Sequence, residues 1–156
     1  MANWEWRMTV GGRRMEGGNR TYTAFMINDL KNRTKQFAVD AVRLCSTLNG
    51  TPEFRIISSH VVRAGTSMGA NYREVCRSKA KADFINKLSV VEEEADESEY
   101  WFELLENLLA PESPELLRLK DEARQLVASM IQSKKTARAS VGLTNVANSP
   151  FVIRHS

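Results

Sequence analysis

Few residues in this 156-residue sequence could do chemistry, and they are unevenly placed. Glu94-Ala95-Asp96-Glu97 puts two carboxylates three residues apart, which is one face of a helix. Paired carboxylates inside a helical bundle recur in carboxylate-bridged metal proteins, but those also need a Glu-x-x-His step on two helices. Neither His60 nor His155 follows a glutamate by three. Cys45 and Cys76 form no CxxC and are expected as free thiols in a reducing cytoplasm. A Cys–His nucleophile needs the two side chains in hydrogen-bond reach. His60 and Cys76 lie about four turns apart on one helical segment, too far to touch. The pairs Gly11-Gly12 and Gly17-Gly18 are not followed by the GK[ST] of a phosphate loop. No metal, cofactor or catalytic constellation is indicated, and the chain reads as a non-enzyme.

What remains is charge. The net +3 is the residue of a segregated pattern: residues 1–81 carry +8, residues 82–110 carry −8 and residues 111–156 carry +3. Such segregation reflects either partners or pairing between elements. A mass of 17.6 kDa with 42% apolar residues is enough for one domain with its own core. No run approaches the roughly 18 apolar residues of a membrane span. The opening MANWEWRMTV lacks the apolar stretch of a secretory leader, so a cytoplasmic location and no membrane contact are expected.

The elements that must position these charges are helical. Leu30, Thr34, Phe37, Ala41, Leu44 and Leu48 recur by fours and threes, the stripe of an amphipathic helix. Asn49-Gly50-Thr51-Pro52 ends it, with Thr51 placed to cap a second helix over about 52–77 and Pro52 in its first turn. That helix carries Ile57, Val61, Ala64, Met68, Tyr72 and Val75, with Gly65 and Gly69 available for close packing. A third carries Phe84, Leu88, Val91, Ala95, Ser98, Phe102, Leu105 and Leu109. Ser78 is its expected N-cap, because one helix over 52–110 would be roughly 88 Å long. Ser113-Pro114-Glu115 opens a fourth with Leu116, Leu119, Ala123, Leu126, Met130 and Ala137. Short links imply antiparallel neighbours. The expected fold is all-α, an antiparallel up-down-up-down four-helix bundle over 28–138, with flexible tails at 1–27 and 139–156.

A second, polar stripe flanks the core. Arg63, Ser67, Asn71 and Glu74 on helix two face Asp83, Lys87, Glu94, Glu97 and Trp101 on helix three when the chain is folded about 78–80. Arg63 then meets Glu94 and Glu97, while Asn71 and Glu74 meet Lys87. A satisfied seam of this kind fixes helix register. Val42, Cys45, Val127 and Ile131 lie off the core stripes and are the candidates for a subunit contact.

Several segments resemble a known family. These are Leu30-Lys-Asn-Arg-Thr34-Lys-Gln-Phe37-Ala, Arg63-Ala-Gly-Thr-Ser67-Met-Gly-Ala-Asn71-Tyr-Arg-Glu74, Ser78-Lys-Ala-Lys-Ala-Asp83-Phe84-Ile-Asn-Lys87-Leu88 and Glu94-Ala-Asp-Glu97-Ser-Glu-Tyr-Trp101. In order and spacing they are similar, over about 28–138, to bacterial four-helix bundle proteins related to those encoded in 23S rRNA intervening sequences. The resemblance extends to the accessory proteins of diversity-generating retroelements, which partner a reverse transcriptase and bind nucleic acid. It implies a bundle that assembles as a ring, a homopentamer, with no established enzymatic activity. Gly65, Gly69 and Cys76 depart from the family's usual residues.

The bundle topology gathers cations at one end: Lys31, Arg33, Lys35, Arg73, Arg77, Lys79, Lys81, Lys134, Lys135 and Arg138. Only Asp29, Glu74 and Asp83 lie nearby. Lys31, Lys79 and Lys81 sit at helix N-termini, where the macrodipole disfavours a cation, so helix stability does not account for them. Two readings stand for this end: a phosphate-backbone contact for RNA or DNA, or a solvated surface. The function expected is a homo-oligomeric, RNA-associated bundle. The alternative is a protein-protein interaction adaptor, with a reverse-transcriptase-like or other protein partner and no nucleic-acid contact.

Overall fold

The computed structural model of the chain describes residues 8–10, 13–15, 20–48, 51–109 and 113–147. Two short strands, β1 (Met8–Val10) and β2 (Arg13–Met15), pair antiparallel with Val10 opposite Arg13. Four helices follow: α1 (Arg20–Thr47), α2 (Pro52–Val75), α3 (Lys81–Leu108) and α4 (Pro114–Ala147). Each packs on the next and α1 meets α4, so the expected all-α four-helix bundle is the fold. The hairpin and the first turns of α1 fall inside the segment read from sequence as a tail, and α4 runs past residue 138. No proline interrupts either extension, and a nucleated helix propagates until something stops it.

The apolar stripes are the core. Phe37, Ala41, Val61, Met68, Leu88, Val91, Phe102, Leu105, Leu119, Leu126 and Met130 are all buried, and Thr34 and Ser98 are buried among them. Thr34 donates its hydroxyl to the Lys31 carbonyl at 3.3 Å and Ser98 to that of Glu94 at 2.8 Å, so neither leaves a bare polar group inside. Phe37 meets Phe102 edge to face, with ring centroids 5.9 Å apart. Leu48, Ile57, Phe84 and Leu109 close the ends of the stripes as half-buried residues.

The helix ends differ in part from expectation. Ser113 Oγ accepts from the Leu116 amide at 3.3 Å, as its position predicts. Thr51 makes no side-chain cap; its carbonyl accepts from Arg55 at 3.2 Å, and Pro52 has no amide to cap. Ser78 does not cap α3. Its hydroxyl donates to the Glu74 carbonyl at 3.4 Å and its amide to the Val75 carbonyl at 3.1 Å, both closing the last turn of α2, and extended Ala80 precedes α3 instead. Gly50 lies outside the described residues.

Gly65 and Gly69 set how closely α1 lies on α2. A Cβ at Gly65 would stand 3.3 Å from the Phe37 ring and 3.4 Å from Ala41 Cβ; at Gly69 it would stand 3.3 Å from the Thr34 carbonyl oxygen. Each glycine costs its helix about 1 kcal/mol against alanine, and the close approach offsets that cost. On the other side, α1 meets α4 through ions. Arg118 bonds buried Asp40 at 2.8 Å, and Arg33 bonds Glu122 at 2.9 Å. Burial pushes the Asp40 carboxyl up, but Arg118, Gln36 and Arg43 outweigh it and hold it below the usual carboxylate range.

Two outcomes follow for denaturant unfolding. Gly65→Leu should cost about 1–3 kcal/mol by overpacking, while Ala70→Leu on the exposed side of the same helix should stay within about 0.5 kcal/mol of the parent. Arg118→Ala leaves the Asp40 carboxylate with Gln36 and Arg43 and should cost about 1 kcal/mol or less near pH 7. Because the folded pKa of Asp40 is depressed, its contribution is present above the unfolded value and is lost as pH falls through the folded one. The gap between parent and Arg118→Ala should therefore narrow as pH falls from about 5 toward 2; a gap that is flat with pH would contradict the assignment.

Candidate nucleic-acid interface

The ten cations gather at the level where α2 ends and α3 begins, and the structure sorts them into two groups. Helix α1 begins at Arg20 and α4 ends at Ala147, so both run past this level; Lys31 lies about three turns into α1 rather than at its N-terminus, and the dipole argument does not apply to it. Lys31, Lys35, Arg73, Lys79, Lys135 and Arg138 are exposed. Arg33 is turned inward onto Glu122 and also reaches Gln125. Lys134 is only 12% exposed, lies between Glu92 and Ser89, and bonds the serine hydroxyl at 3.2 Å. That position is more than two turns into α3, so Lys134 belongs to the α3–α4 packing rather than to the end surface. Arg77 folds over its own helix onto Glu74, and Lys81 is half-buried at the start of α3. The exposed cations remain a basic surface shared by all four helices. Cys76 lies among them, near Lys31 and Arg77; burial nevertheless pushes its thiol up, as burial does for Cys45, so neither is a ready nucleophile.

The polar seam forms in its lower half. Arg63 bonds Glu97, whose Oε1 also accepts from the Trp101 indole at 3.0 Å. The indole bond, helped by Arg63 and opposed by partial burial, keeps the Glu97 carboxyl below its usual value. Glu94 is pushed the other way by desolvation, since Arg63 only partly compensates it, and its Oε2 is buried without a hydrogen-bond partner. Two neighbouring carboxyls pushed apart can mark an acid–base pair. Here the split has a structural cause, because the arginine and the indole both bond the same one. The upper half differs from expectation. Asn71 and Glu74 do not bond Lys87; Glu74 takes Arg77 and Lys87 takes Asp83 at 3.1 Å, each on its own helix. Pairs within a helix hold whatever the neighbouring helix does, and four residues of spacing brings them within reach. Ser67 and Asn71 are half-buried along the α2 flank.

One member of this cluster was not singled out from the sequence. His60 stacks on Trp101 with ring centroids 4.2 Å apart and planes 16° from parallel, and its Nδ1 is buried without a partner. The same fold-over that sets Arg63 on Glu97 sets His60 on Trp101, so the signal was present in the numbering. The four residues proposed for a subunit contact are divided: Val42 is 42% exposed, whereas Cys45 and Val127 pack against the core and Ile131 is half-buried. Among the described residues no group of three His, Cys, Asp or Glu is arranged to hold a metal, and no helix is long and apolar enough to cross a membrane.

An antiparallel four-helix bundle with a basic end and a carboxylate-rich third helix defines the structural class. The chain belongs to the 23S rRNA-intervening sequence protein family, which matches residues 28–133. Its fold is similar to the crystal structure of a protein of unknown function from the S23 ribosomal protein family of Bacteroides thetaiotaomicron. The two are 34% identical with a TM-score of 0.64, and the match covers 70% of this chain and 98% of the other. Among curated proteins none matches.

The sorting of the cations is open to measurement. Lys134→Met, which strands Glu92 between two helices, should cost about 1–3 kcal/mol. Lys135→Met, one residue on and exposed, should lie within about 0.5 kcal/mol of the parent. Equal effects in chemical denaturation would place Lys134 back on the surface.

Proposed function

We propose that this chain is a non-enzymatic, homo-oligomeric bundle, pentameric as its sequence resemblance implies, that binds the phosphate backbone of RNA through its basic end. The supporting observation is the exposure of Lys31, Lys35, Arg73, Lys79, Lys135 and Arg138 around one end of the bundle. Of the three carboxylates predicted nearby, Glu74 is engaged with Arg77 and Asp83 with Lys87, which leaves Asp29 against six exposed cations. Such a surface attracts phosphate by counterion release and reads little sequence. Assembly about an axis along the helices would repeat the surface around one rim and convert weak contacts into avidity. A reverse-transcriptase-like protein partner, implied by the retroelement resemblance, is part of the same reading. The adaptor alternative is supported by a different observation, the exposed apolar residues Ile56, Tyr100 and Leu108.

The test is a titration of the full chain against labelled structured RNA and duplex DNA at several salt concentrations. A Lys31→Glu, Arg73→Glu, Lys79→Glu triple variant is run alongside. Affinity should fall steeply with salt, and the variant's log–log slope should drop by about 0.7–0.9 for each phosphate it no longer neutralises. No binding by either protein at low salt would leave the adaptor reading.

A further inference from the structure

Four of the six large apolar side chains exposed among the described residues lie on one face. Ile56, Val90, Tyr100 and Leu108 are 60%, 41%, 53% and 55% exposed. Ile56 stands one turn before His60 and two before Arg63 on the flank of α2 that touches α3. Val90, Leu104 and Leu108 fall at seven-residue steps from Glu97 and Trp101 on the facing flank of α3. Tyr100 packs edge-on to Trp101, with ring centroids 5.1 Å apart. The result is a ridge of tyrosine, tryptophan, leucine and isoleucine around the Arg63–Glu97 pair. That is the composition of an interface centre, where large aromatic and arginine side chains dominate. The exposed residues of α3 around it are Glu93, Asp96 and Glu103, with no exposed cation on that helix.

The complement of this face is on the same chain. Lys35, Val39, Val42 and Ser46 make the outward stripe of α1, with Arg43 beside it; Val42 is exposed and Val39 half-buried. No described carboxylate of α1 is exposed. The two faces are also level. Ala41 touches α2 at Gly65, and Arg63 of α2 touches α3 at Glu97, so Val42 and Arg43 stand within about one turn of Glu97 along the bundle.

We propose that the α2/α3 face of one copy binds the outward stripe of α1 of a second copy, acidic ridge on basic stripe, and that this is the contact that builds the oligomer. The proposal rests on the homo-oligomeric reading above and names its surface. The contact is head-to-tail: the two patches differ, and each copy offers both. Because the patches are level to within about one turn, successive copies need little shift along the helices. Because one lies on the α2/α3 side and the other on the outer corner of α1, successive copies turn. Turning without rising closes a ring rather than growing a filament. The contact takes Lys35 out of the basic end and leaves Arg73, Lys79, Lys135 and Arg138 exposed.

The mass of the full chain in solution tests this, by size-exclusion chromatography with light scattering across a dilution series. The parent should run as a multiple of 17.6 kDa. Ile56→Glu with Leu108→Glu should shift it to the monomer. Glu93→Arg and Arg43→Glu should each weaken self-association about tenfold or more, and the double reversal should restore it. Circular dichroism melting of each variant checks that these exposed substitutions leave the bundle folded. A parent that is oligomeric, with every variant equally oligomeric, overturns this face and leaves the oligomeric reading standing. Single variants that dissociate without rescue in the double overturn the pairing with α1. A monomeric parent overturns both.

Discussion

The bundle is organised around Phe37. Its ring fills the notch that Gly65 leaves in α2 and meets Phe102 of α3 edge-on, so three helices meet at one side chain. A residue with a Cβ at 65 would stand 3.3 Å from that ring and require it to give by a few tenths of an ångström. The glycine lowers the intrinsic stability of α2 by about 1 kcal/mol, and the contact it admits fixes where α1 sits along α2. Two heights follow from that: Ala41 lies opposite Gly65 and Thr34 opposite Gly69, which carries the start of α1 at Arg20 past the end of α2 at Val75.

Charge then does what packing alone cannot. Apolar stripes attract without direction and would tolerate a helix sliding by one turn. The ions do not. Arg63 on Glu97 fixes α2 against α3, Lys120 on Glu106 and Lys134 on Glu92 fix α3 against α4, and Arg118 on Asp40 ties α4 back to α1. This accounts for much of the sequence's charge asymmetry. The carboxylates of α3 are in part the counterions of α4 and α2, and Glu99 takes Arg124 in the same way. The charge left over after this pairing includes the basic end and the outer edge of α3, the two surfaces on which the proposals rest.

The fold was legible because a helix's core is written in its own period: the residues expected to be buried from Leu30 to Ala137 line the interior, with only the outermost half-exposed. The site was legible in part. Arg63 with Glu97 followed from folding the chain about a single point, and His60 with Trp101 follows from the same operation. Arg33 with Glu122 and Lys134 with Glu92 did not, because pairing across non-consecutive or offset helices depends on a register that no one helix encodes. Lys87 chose Asp83 over Glu74 for the related reason that a partner on its own helix is always at hand. The helix caps split in the same manner. Ser113 acts locally and was readable, while Ser78 was recruited to end α2 and Ala80 was left to begin α3.

The two proposed surfaces are compatible because the fold separates them along its length, with Lys35 alone shared between them. Phosphate binding needs exposed, mobile cations in water, and an oligomer contact needs a dry centre of aromatic and aliphatic side chains. If Lys79 or Arg73 shared a height with Tyr100 and Leu108, each function would spoil the other: cations would be buried unpaired, or the apolar ridge would stay wet. In this bundle Tyr100, Trp101 and Leu108 lie in the last three turns of α3, whereas Arg73 and Lys79 lie at its opposite end. The length of the helices, rather than any single residue, would therefore let one small domain present the proposed self-contact and a basic rim at once. The close approach at Gly65 and Gly69 in turn keeps those long helices in register.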